Sequence, residues 1–164
     1  MTSAGLLTIR SARPGDAALM TQFVRELAEY EKLLHECHTT EAMIDAALFG
    51  ENPRVFCDIA EWDGEPAGNA IWFLNFSTFS GRPGIYLEDI FVRPAFRGRG
   101  IGKALMVHLA KRCVAENWTR FEWSVLNWNK PSIEFYRSLG AKLQDEWTIC
   151  RVSGDALGRL AERA

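Results

Sequence analysis

The stretch Arg97-Gly98-Arg99-Gly100-Ile101-Gly102-Lys103 follows an apolar segment that ends at Val92 and precedes a segment with helical periodicity. Where a glycine-rich turn opens a helix, exposed backbone N–H groups carry partial positive charge and bind anions directly. Glycine lets that backbone approach a ligand closely, and arginine pairs with two phosphate oxygens at once. A turn with solvated arginines is the alternative, but the position between strand and helix favours phosphate binding. We call residues 97–103 the anion cradle.

The anion cradle does not match two familiar nucleotide-binding patterns. A P-loop requires Gly-Lys followed by Ser or Thr, whereas Lys103 is followed by Ala104. The dinucleotide fingerprint G-x-G-x-x-G is absent in register, because the glycines stand at positions 98, 100 and 102. Both of these nucleotide-binding classes are therefore excluded.

Outward from the cradle, hydrophobic periodicity predicts a mixed α/β fold whose first half is a largely antiparallel sheet. The turn Asp63-Gly64 predicts a tight hairpin, since this pair supplies the positive backbone angles that such a turn needs. No repeat, low-complexity tract or linker divides the chain, so we expect a single domain over residues 1–164. The predicted strands cover residues 6–10, 55–62, 66–76, 84–92, 121–126 and 147–152. The predicted helices run from Pro14 to Leu34, from Thr39 or Thr40 to Gly50, over 100–117, over 130–139 and after a cap at Ser153.

Bulk composition narrows the class of protein. A net charge of -2 and a pI near 5.9 give no reason to expect a nucleic-acid partner, and every apolar run is too short for a membrane span. The start lacks a secretion signal, and the cysteines form no Cys-x-x-Cys pair, so a cytoplasmic protein with reduced thiols is expected. Cys113 and Cys150 are interpreted as core residues and His108 as a packed one. The pair His35-x-x-His38 lacks a third ligand pattern, so we expect no metal.

The motif Arg97-x-x-Gly100-x-Gly102 resembles the pyrophosphate-binding signature of the GNAT acetyltransferases, R/Q-x-x-G-x-G/A. The resemblance covers nearly the whole chain, from Ile9-Arg10-x-Ala12 to Trp147, and is closest to the spermidine/spermine (diamine) and thialysine N-acetyltransferase group. The segments that carry this closer match are Glu26-Leu27-Ala28-x-Tyr30-Glu31, Tyr86-Leu87-Glu88-Asp89-x-Phe91-Val92 and Trp128-Asn129-x-Pro131-Ser132-Ile133-x-Phe135-Tyr136.

This resemblance implies a GNAT-like central sheet flanked by helices on both faces, with acetyl-CoA as the co-substrate and no metal. The family pattern puts backbone groups of Phe91 and Val92 beside the pantetheine arm and Asn129 near it. It puts the diphosphate on the cradle and Tyr136 next to the thioester sulfur. The cofactor-binding residues implied in this way are Phe91, Val92, Arg97, Gly98, Arg99, Gly100, Ile101, Gly102, Lys103, Asn129, Ser132 and Tyr136.

Acetyl transfer to an amine needs a base, donors for the oxyanion and an acid for the departing thiolate. Tyr136 is the candidate acid, because a phenol is protonated at neutral pH; the alternative is a packed helix tyrosine. Glu88 and Asp89 are adjacent carboxylates that regular alternation sends to opposite faces of a strand. The resemblance makes Glu88 the candidate base, acting through water, and Asp89 a substrate-binding residue. A solvent-facing or ion-paired carboxylate remains the alternative for either.

The resemblance also implies that Tyr30, Glu31 and Trp147 line the amine pocket, although ordinary aromatic packing is an alternative for the two aromatics. The segment Thr78-Phe79-Ser80-Gly81-Arg82 replaces the acid-bearing loop of diamine acetyltransferases. An arginine there disfavours a long polyamine, so we expect a smaller amine or a lysine-like amino acid. A protein N-acetyltransferase and a non-catalytic acyl-CoA sensor are the competing functions. Relatives of this kind are commonly homodimers, which predicts a homodimer here.

Overall fold

The computed structural model describes residues 5–163 and divides the chain into two compact units, one ending at Ser124 and the other beginning at Val125. The first unit is built from strands and helices, and the second contains two short helices. The strands are β1 Leu7–Ser11, β2 Phe56–Trp62, β3 Glu65–Ser77, β4 Arg82–Val92 and β5 Phe121–Trp123. The helices are α1 Ala17–Tyr30, α2 Glu41–Phe49, α3 Ile101–Ala115, α4 Lys130–Ser138 and α5 Asp155–Ala161.

The strands form one sheet in the order β1-β2-β3-β4-β5, antiparallel throughout except that β5 runs parallel to β4. Asp63 (φ 51°) and Gly64 (φ 82°) turn the chain between β2 and β3, as the predicted hairpin requires. Thr40 caps α2, with its hydroxyl accepting a hydrogen bond from the N–H of Met43 at 3.3 Å. The predicted mixed α/β fold with a largely antiparallel sheet is therefore confirmed.

Helices cover both faces of this sheet. Against one face, α1 and α2 contribute to a buried apolar cluster of Met20, Phe23, Leu48, Cys57, Ile59, Ile71 and Phe91. On the other face lies Asp58, which accepts hydrogen bonds from Trp72 Nε1 at 2.8 Å and from the Ser11 hydroxyl at 3.2 Å. His108 of α3 reaches the same carboxylate, Nε2 to Oδ1, at 3.3 Å. Asp58 is 1% exposed, so these partners compensate for the cost of burying a carboxylate.

Three local predictions in the C-terminal part of the chain are wrong. Residues 147–152 do not form a strand, and Cys150 is exposed instead of filling a core. The residue before α5 is Gly154, with φ 55°, and Ser153 does not cap the helix. A strand needs a neighbouring strand for its backbone hydrogen bonds. No strand within residues 5–163 pairs with residues 147–152, although their composition is strand-like.

Other differences are small shifts of element ends. The first helix stops at Tyr30, and Leu34 lies in a separate 3-10 turn, because Lys32 takes a positive φ of 62° that ends the helix. Strand β5 ends at Trp123, three residues earlier than predicted. In the part of the chain that the structure describes, no helix is both long enough and apolar enough to span a membrane.

Candidate active site

The anion cradle forms the turn that leads into α3, as predicted. Gly98 and Gly100 both have positive φ, 76° and 78°, which residues with a side chain rarely adopt. A Cβ built on either glycine would meet no heavy atom within 4 Å, so the turn faces open space. Gly100 is the residue before the helix, and no side chain caps it.

The backbone amides of the cradle are available to a ligand. Within residues 5–163, the first N–H of α3 to reach a helical carbonyl belongs to Ala104, which donates to Gly100 O at 2.9 Å. The N–H groups of Ile101, Gly102 and Lys103 precede it at the positive end of the helix dipole. This arrangement suits a diphosphate, because N–H groups at the start of a helix donate to anions and the neighbouring glycines carry no side chain that would block the approach.

Arg97 and Arg99 are each held over aromatic rings. The Arg97 guanidinium carbon lies 4.9 Å from the centre of the Tyr30 ring and 5.6 Å from that of Phe91. Its Nε donates to Val92 O at 2.8 Å. The Arg99 guanidinium lies 5.2 Å from the centre of Trp62. The guanidinium groups of these two cradle residues therefore have defined contacts with the neighbouring elements.

Sequence reasoning missed an ion pair that fixes the approach to the cradle. Arg93 follows β4 and donates to both carboxylate oxygens of Glu26 on α1, at 2.9 and 3.0 Å. It also donates to Pro66 O at 3.0 Å, and its guanidinium lies 4.6 Å from the Phe23 ring centre. A charged residue directly after an apolar strand was the available signal, but its partner is distant in sequence.

Strand β4 separates from β5 halfway along its length. Its pairing with β5 covers only Ile85 to Leu87, while pairing with β3 continues to Val92. The backbone of the later residues is therefore unpaired with β5 on that side. A strand open in this way offers N–H and C=O groups to a ligand, which is the arrangement expected for oxyanion donors and for a pantetheine arm.

A β-bulge lies at the point of separation. Leu87 pairs with Trp72 and Asp89 with Ile71, so Glu88 is the extra residue on β4. Trp72 and Ile71 are neighbours on β3 and face opposite sides, which means that Leu87 and Asp89 do so as well. The regular alternation expected from the sequence is therefore interrupted at the very residues predicted to be functional. Glu88 itself is exposed.

Three carboxylates gather near this bulge. Asp89 is partly buried, and burial raises its pKa from 3.8 to about 6, with further contributions from the negative charges of Glu88 and Glu31. Burial also raises the pKa of Glu31, which follows the last residue of α1. We call Glu31, Glu88 and Asp89 the acidic group. Carboxylates held together in this way favour a cationic ligand, because a positive charge relieves their repulsion.

The second unit contains the remaining predicted cofactor residues. Asn129 is 6% exposed, and its side-chain oxygen accepts from the N–H of Ser132 at 3.4 Å, which caps α4. Tyr136 is 8% exposed and lies one helical turn after Ser132, with its ring 5.4 Å from that of Phe135. Trp147 lies in an irregular segment of this unit and is 80% exposed. Asn129 thus has a local structural role as a helix cap.

The loop that departs from the diamine acetyltransferase pattern is the turn between β3 and β4. Arg82 donates to the Asn117 side chain at 2.7 Å, and Ser80 shares a hydrogen bond with Thr119 at 2.9 Å. Phe79 is fully exposed at the tip. The arginine is therefore bound to the end of α3. Among residues 5–163, no three His, Cys, Asp or Glu side chains are grouped so that they could hold a metal.

Residues 20–141 match the family described as Acetyltransferase (GNAT). The chain belongs to this family. It is accordingly an acetyl-CoA-dependent N-acetyltransferase. It is 38% identical to the thialysine N-epsilon-acetyltransferase of Sus scrofa, over 93% of this chain and 96% of that protein. It is 29% identical to the L-ornithine N5-acetyltransferase of Arabidopsis thaliana, over 91% and 85%. Among solved structures, an integron cassette protein of V. cholerae superposes with a TM-score of 0.81 at 26% identity, covering 96% of this chain and 98% of that one.

Proposed function

We propose that this protein transfers the acetyl group of acetyl-CoA directly to a primary amine of a small molecule, with a lysine-like amino acid as the preferred acceptor and diamines or polyamines as further candidates. The observation that carries the proposal is the anion cradle, because the same segment, from β4 to α3, also carries Glu88 and Asp89 of the acidic group. An anionic coenzyme and a cationic amine thereby have complementary sites. The thialysine and ornithine acetyltransferases among its relatives support an amino acid whose side chain bears the amine.

The coenzyme is bound by both backbone and side chains in this proposal. The amides of residues 98–103, together with Arg97, Arg99 and Lys103, hold the diphosphate. Backbone groups of Phe91 and Val92, on the open side of β4, hold the pantetheine arm. Asn129 and Ser132 contribute from the start of α4. The geometry of the cradle supports this assignment because donors and open space coincide there.

Starting from the ammonium form of the amine, the nitrogen loses two protons in the reaction, one before the attack and one after it, and the sulfur gains one. Glu88, which is exposed, accepts the amine proton through a water molecule, and the nitrogen then attacks the thioester carbon. The C–S bond of the tetrahedral intermediate then breaks while the C–N bond is kept, Tyr136 gives its phenolic proton to the thiolate, and the second nitrogen proton passes through solvent to restore the phenol. Asp89, Tyr30, Glu31 and Trp147 contact the amine substrate. No covalent enzyme intermediate is needed.

The two compact units act as one transferase domain over residues 1–164 in this proposal, and the family match extends from the first unit into the second, as far as residue 141. We further propose a cytoplasmic homodimer without nucleic-acid, membrane or metal partners. The second unit exposes several large apolar side chains, and a second copy of the chain would cover them. These residues are Trp147, Ile149, Leu157 and Leu160.

A thiol-release assay with acetyl-CoA and a panel of amines tests the proposal. We expect release of CoA with thialysine, lysine or ornithine, and weaker release with putrescine and spermidine. Tight binding of acetyl-CoA without release for any acceptor would contradict catalysis and support an acyl-CoA sensor. Acetylation of peptides in preference to free amines would contradict a small-molecule acceptor.

Tyr136→Phe tests the acid. Loss of a general acid lowers turnover by at least about 100-fold, while the affinity for acetyl-CoA should stay within two-fold. Steady-state kinetics combined with calorimetric titration of the coenzyme measures both quantities. Equal turnover in the variant would remove Tyr136 from this role.

A further inference from the structure

Two arginines of the β4–α3 segment contact α1 at positions one helical turn apart. Arg93 pairs with Glu26, and Arg97 lies over the ring of Tyr30. Arg93 and Arg97 are four positions apart in the sequence, and their partners Glu26 and Tyr30 are also four positions apart on α1. The two contacts therefore lie one after the other along α1, and we call them the first and second rungs. The first rung is a bidentate ion pair, and the second is a cation–π contact.

The second rung holds a side chain that is otherwise on the surface. Arg97 is exposed, yet its guanidinium has contacts from two elements: Tyr30 at the end of α1, and Phe91 and Val92 at the end of β4. Phe91 is 5% exposed and belongs to the core, so it cannot move aside without disturbing the core cluster. Tyr30 is 37% exposed, so a substitution there removes less buried surface than one at Phe91.

We infer that Tyr30 is a positioning residue for the coenzyme, whose ring holds the Arg97 guanidinium beside the cradle so that it is in place when the diphosphate binds. This inference rests on the proposed function and adds to the amine-pocket role of Tyr30. It places a residue of α1, distant from the cradle in sequence, in the coenzyme half of the site. The amine half begins at the next residue, Glu31.

The physical reason is the entropy of a long side chain. A free arginine loses rotamer freedom when it binds an anion, and an aromatic ring that already orients it removes part of that cost. An exposed cation–π contact changes an equilibrium constant by two- to five-fold, which corresponds to about 0.5–1 kcal/mol. Because the Arg97 guanidinium contacts the Tyr30 ring, we assign the effect to the ring.

Isothermal titration of coenzyme A into wild type, Tyr30→Ala and Tyr30→Phe tests the inference. We expect the Kd to rise two- to five-fold in Tyr30→Ala and to stay within the error of wild type in Tyr30→Phe. An unchanged or lower Kd in Tyr30→Ala would overturn the inference, as would an equal loss in Tyr30→Phe. Thermal unfolding of each variant checks that the fold is retained.

A double-mutant cycle with Arg97→Ala separates positioning of Arg97 from a general effect on the cradle. If Tyr30 acts through Arg97, Tyr30→Ala should leave the Kd of the Arg97→Ala protein unchanged. Additive losses would overturn the inference. In steady-state assays, the KM for acetyl-CoA should rise in Tyr30→Ala with kcat nearly constant. A change confined to the KM for the amine would assign Tyr30 to the amine pocket alone.

A different observation would contradict the proposed function than would contradict the positioning role of Tyr30. If wild type does not bind coenzyme A, the cradle is not a coenzyme site. If wild type binds it and Tyr30→Ala binds it equally well, only the positioning role falls.

Discussion

The two halves of β4 differ in strand pairing, burial and charge. From Arg82 to Leu87 the strand is flanked by β3 and, over three residues, by β5, and Ile85 and Leu87 are almost completely buried. From Glu88 to Val92 it is paired with β3 alone and carries two carboxylates. A single bulge at Glu88 separates the halves. The same strand thus changes from a core element to one that offers backbone and charge to a ligand.

This difference shows that the candidate site lies where a β-bulge interrupts the regular pairing of β4. A bulge adds one residue without a partner and reverses the side-chain alternation, so that Asp89 faces the α1 side, towards Glu31. Leu87 and Glu88 are adjacent in sequence, but the first is 1% exposed and the second is exposed. Substitutions on either side of the bulge should therefore affect different measurements.

The largest effect is expected for Glu88→Gln. If this carboxylate takes the amine proton, its loss lowers kcat/KM at neutral pH by about 100-fold or more. The free energy of unfolding should change by less than about 0.5 kcal/mol, because the side chain is on the surface. Kinetics at saturating acetyl-CoA and denaturant unfolding measure the two quantities.

Glu65→Gln is the matched control, since Glu65 is an exposed strand glutamate at the start of β3. It should leave both quantities unchanged. A Glu88→Gln protein with wild-type turnover would show that the open half of β4 supplies no base. The two halves would then differ in pairing and burial but not in a catalytic role.

Leu87→Ala tests the closed half. Truncating a buried leucine costs about 2–5 kcal/mol of unfolding free energy, through lost transfer energy and a residual cavity. Turnover per folded molecule should stay within a few-fold, since Leu87 faces away from the acidic group. Leu74→Ala, at a position 42% exposed on β3, should cost less than about 1 kcal/mol. A large loss of turnover in folded Leu87→Ala would mean that the halves are not independent.

Local features of this fold could be read from the sequence. The hairpin at Asp63-Gly64, the cap at Thr40 and the start of α3 after Gly100 depend on residues that are neighbours in the chain. The same is true of the cradle, where glycine conformation and helix polarity act within a few residues. For this reason the predicted glycine-rich turn before α3 agrees with the structure, whereas binding of a diphosphate there stays a prediction.

Features that depend on distant partners were not predictable in this way. The bulge at Glu88 is set by the register with β3, and the pairing of Arg93 with Glu26 joins residues far apart in sequence. The strand expected over residues 147–152 is absent for the same reason, because a strand-like composition does not supply the neighbouring strand that pairing needs. The assignments of Glu88, Tyr136 and the amine-binding residues stay predictions until substrates are tested.

The smallest effect is expected for Asp89→Asn, and it depends on pH. The folded-state pKa of Asp89 is raised to about 6 by burial first, and then by the charges of Glu88 and Glu31. The folded protein therefore binds this proton more tightly than the unfolded chain, so stability falls as pH rises from about 4 to 6. Below pH 4, where Asp89 is protonated, its charge should make no difference between the free energies of unfolding of the variant and wild type. Above pH 6 the variant should be the more stable of the two, by at most about 3 kcal/mol, because it lacks the unfavourable charge.

Denaturant unfolding of wild type and Asp89→Asn between pH 4.5 and 7.5 measures that difference. If the free energies of unfolding of the two proteins changed with pH in the same way, Asp89 would be solvated like an ordinary carboxylate. The bulge would then not turn it towards a buried environment. The KM for the amine supplies a second comparison. It should rise in wild type as pH falls through 6, because protonation removes the charge that attracts the ammonium group, whereas the variant should have a uniformly high KM without this inflection.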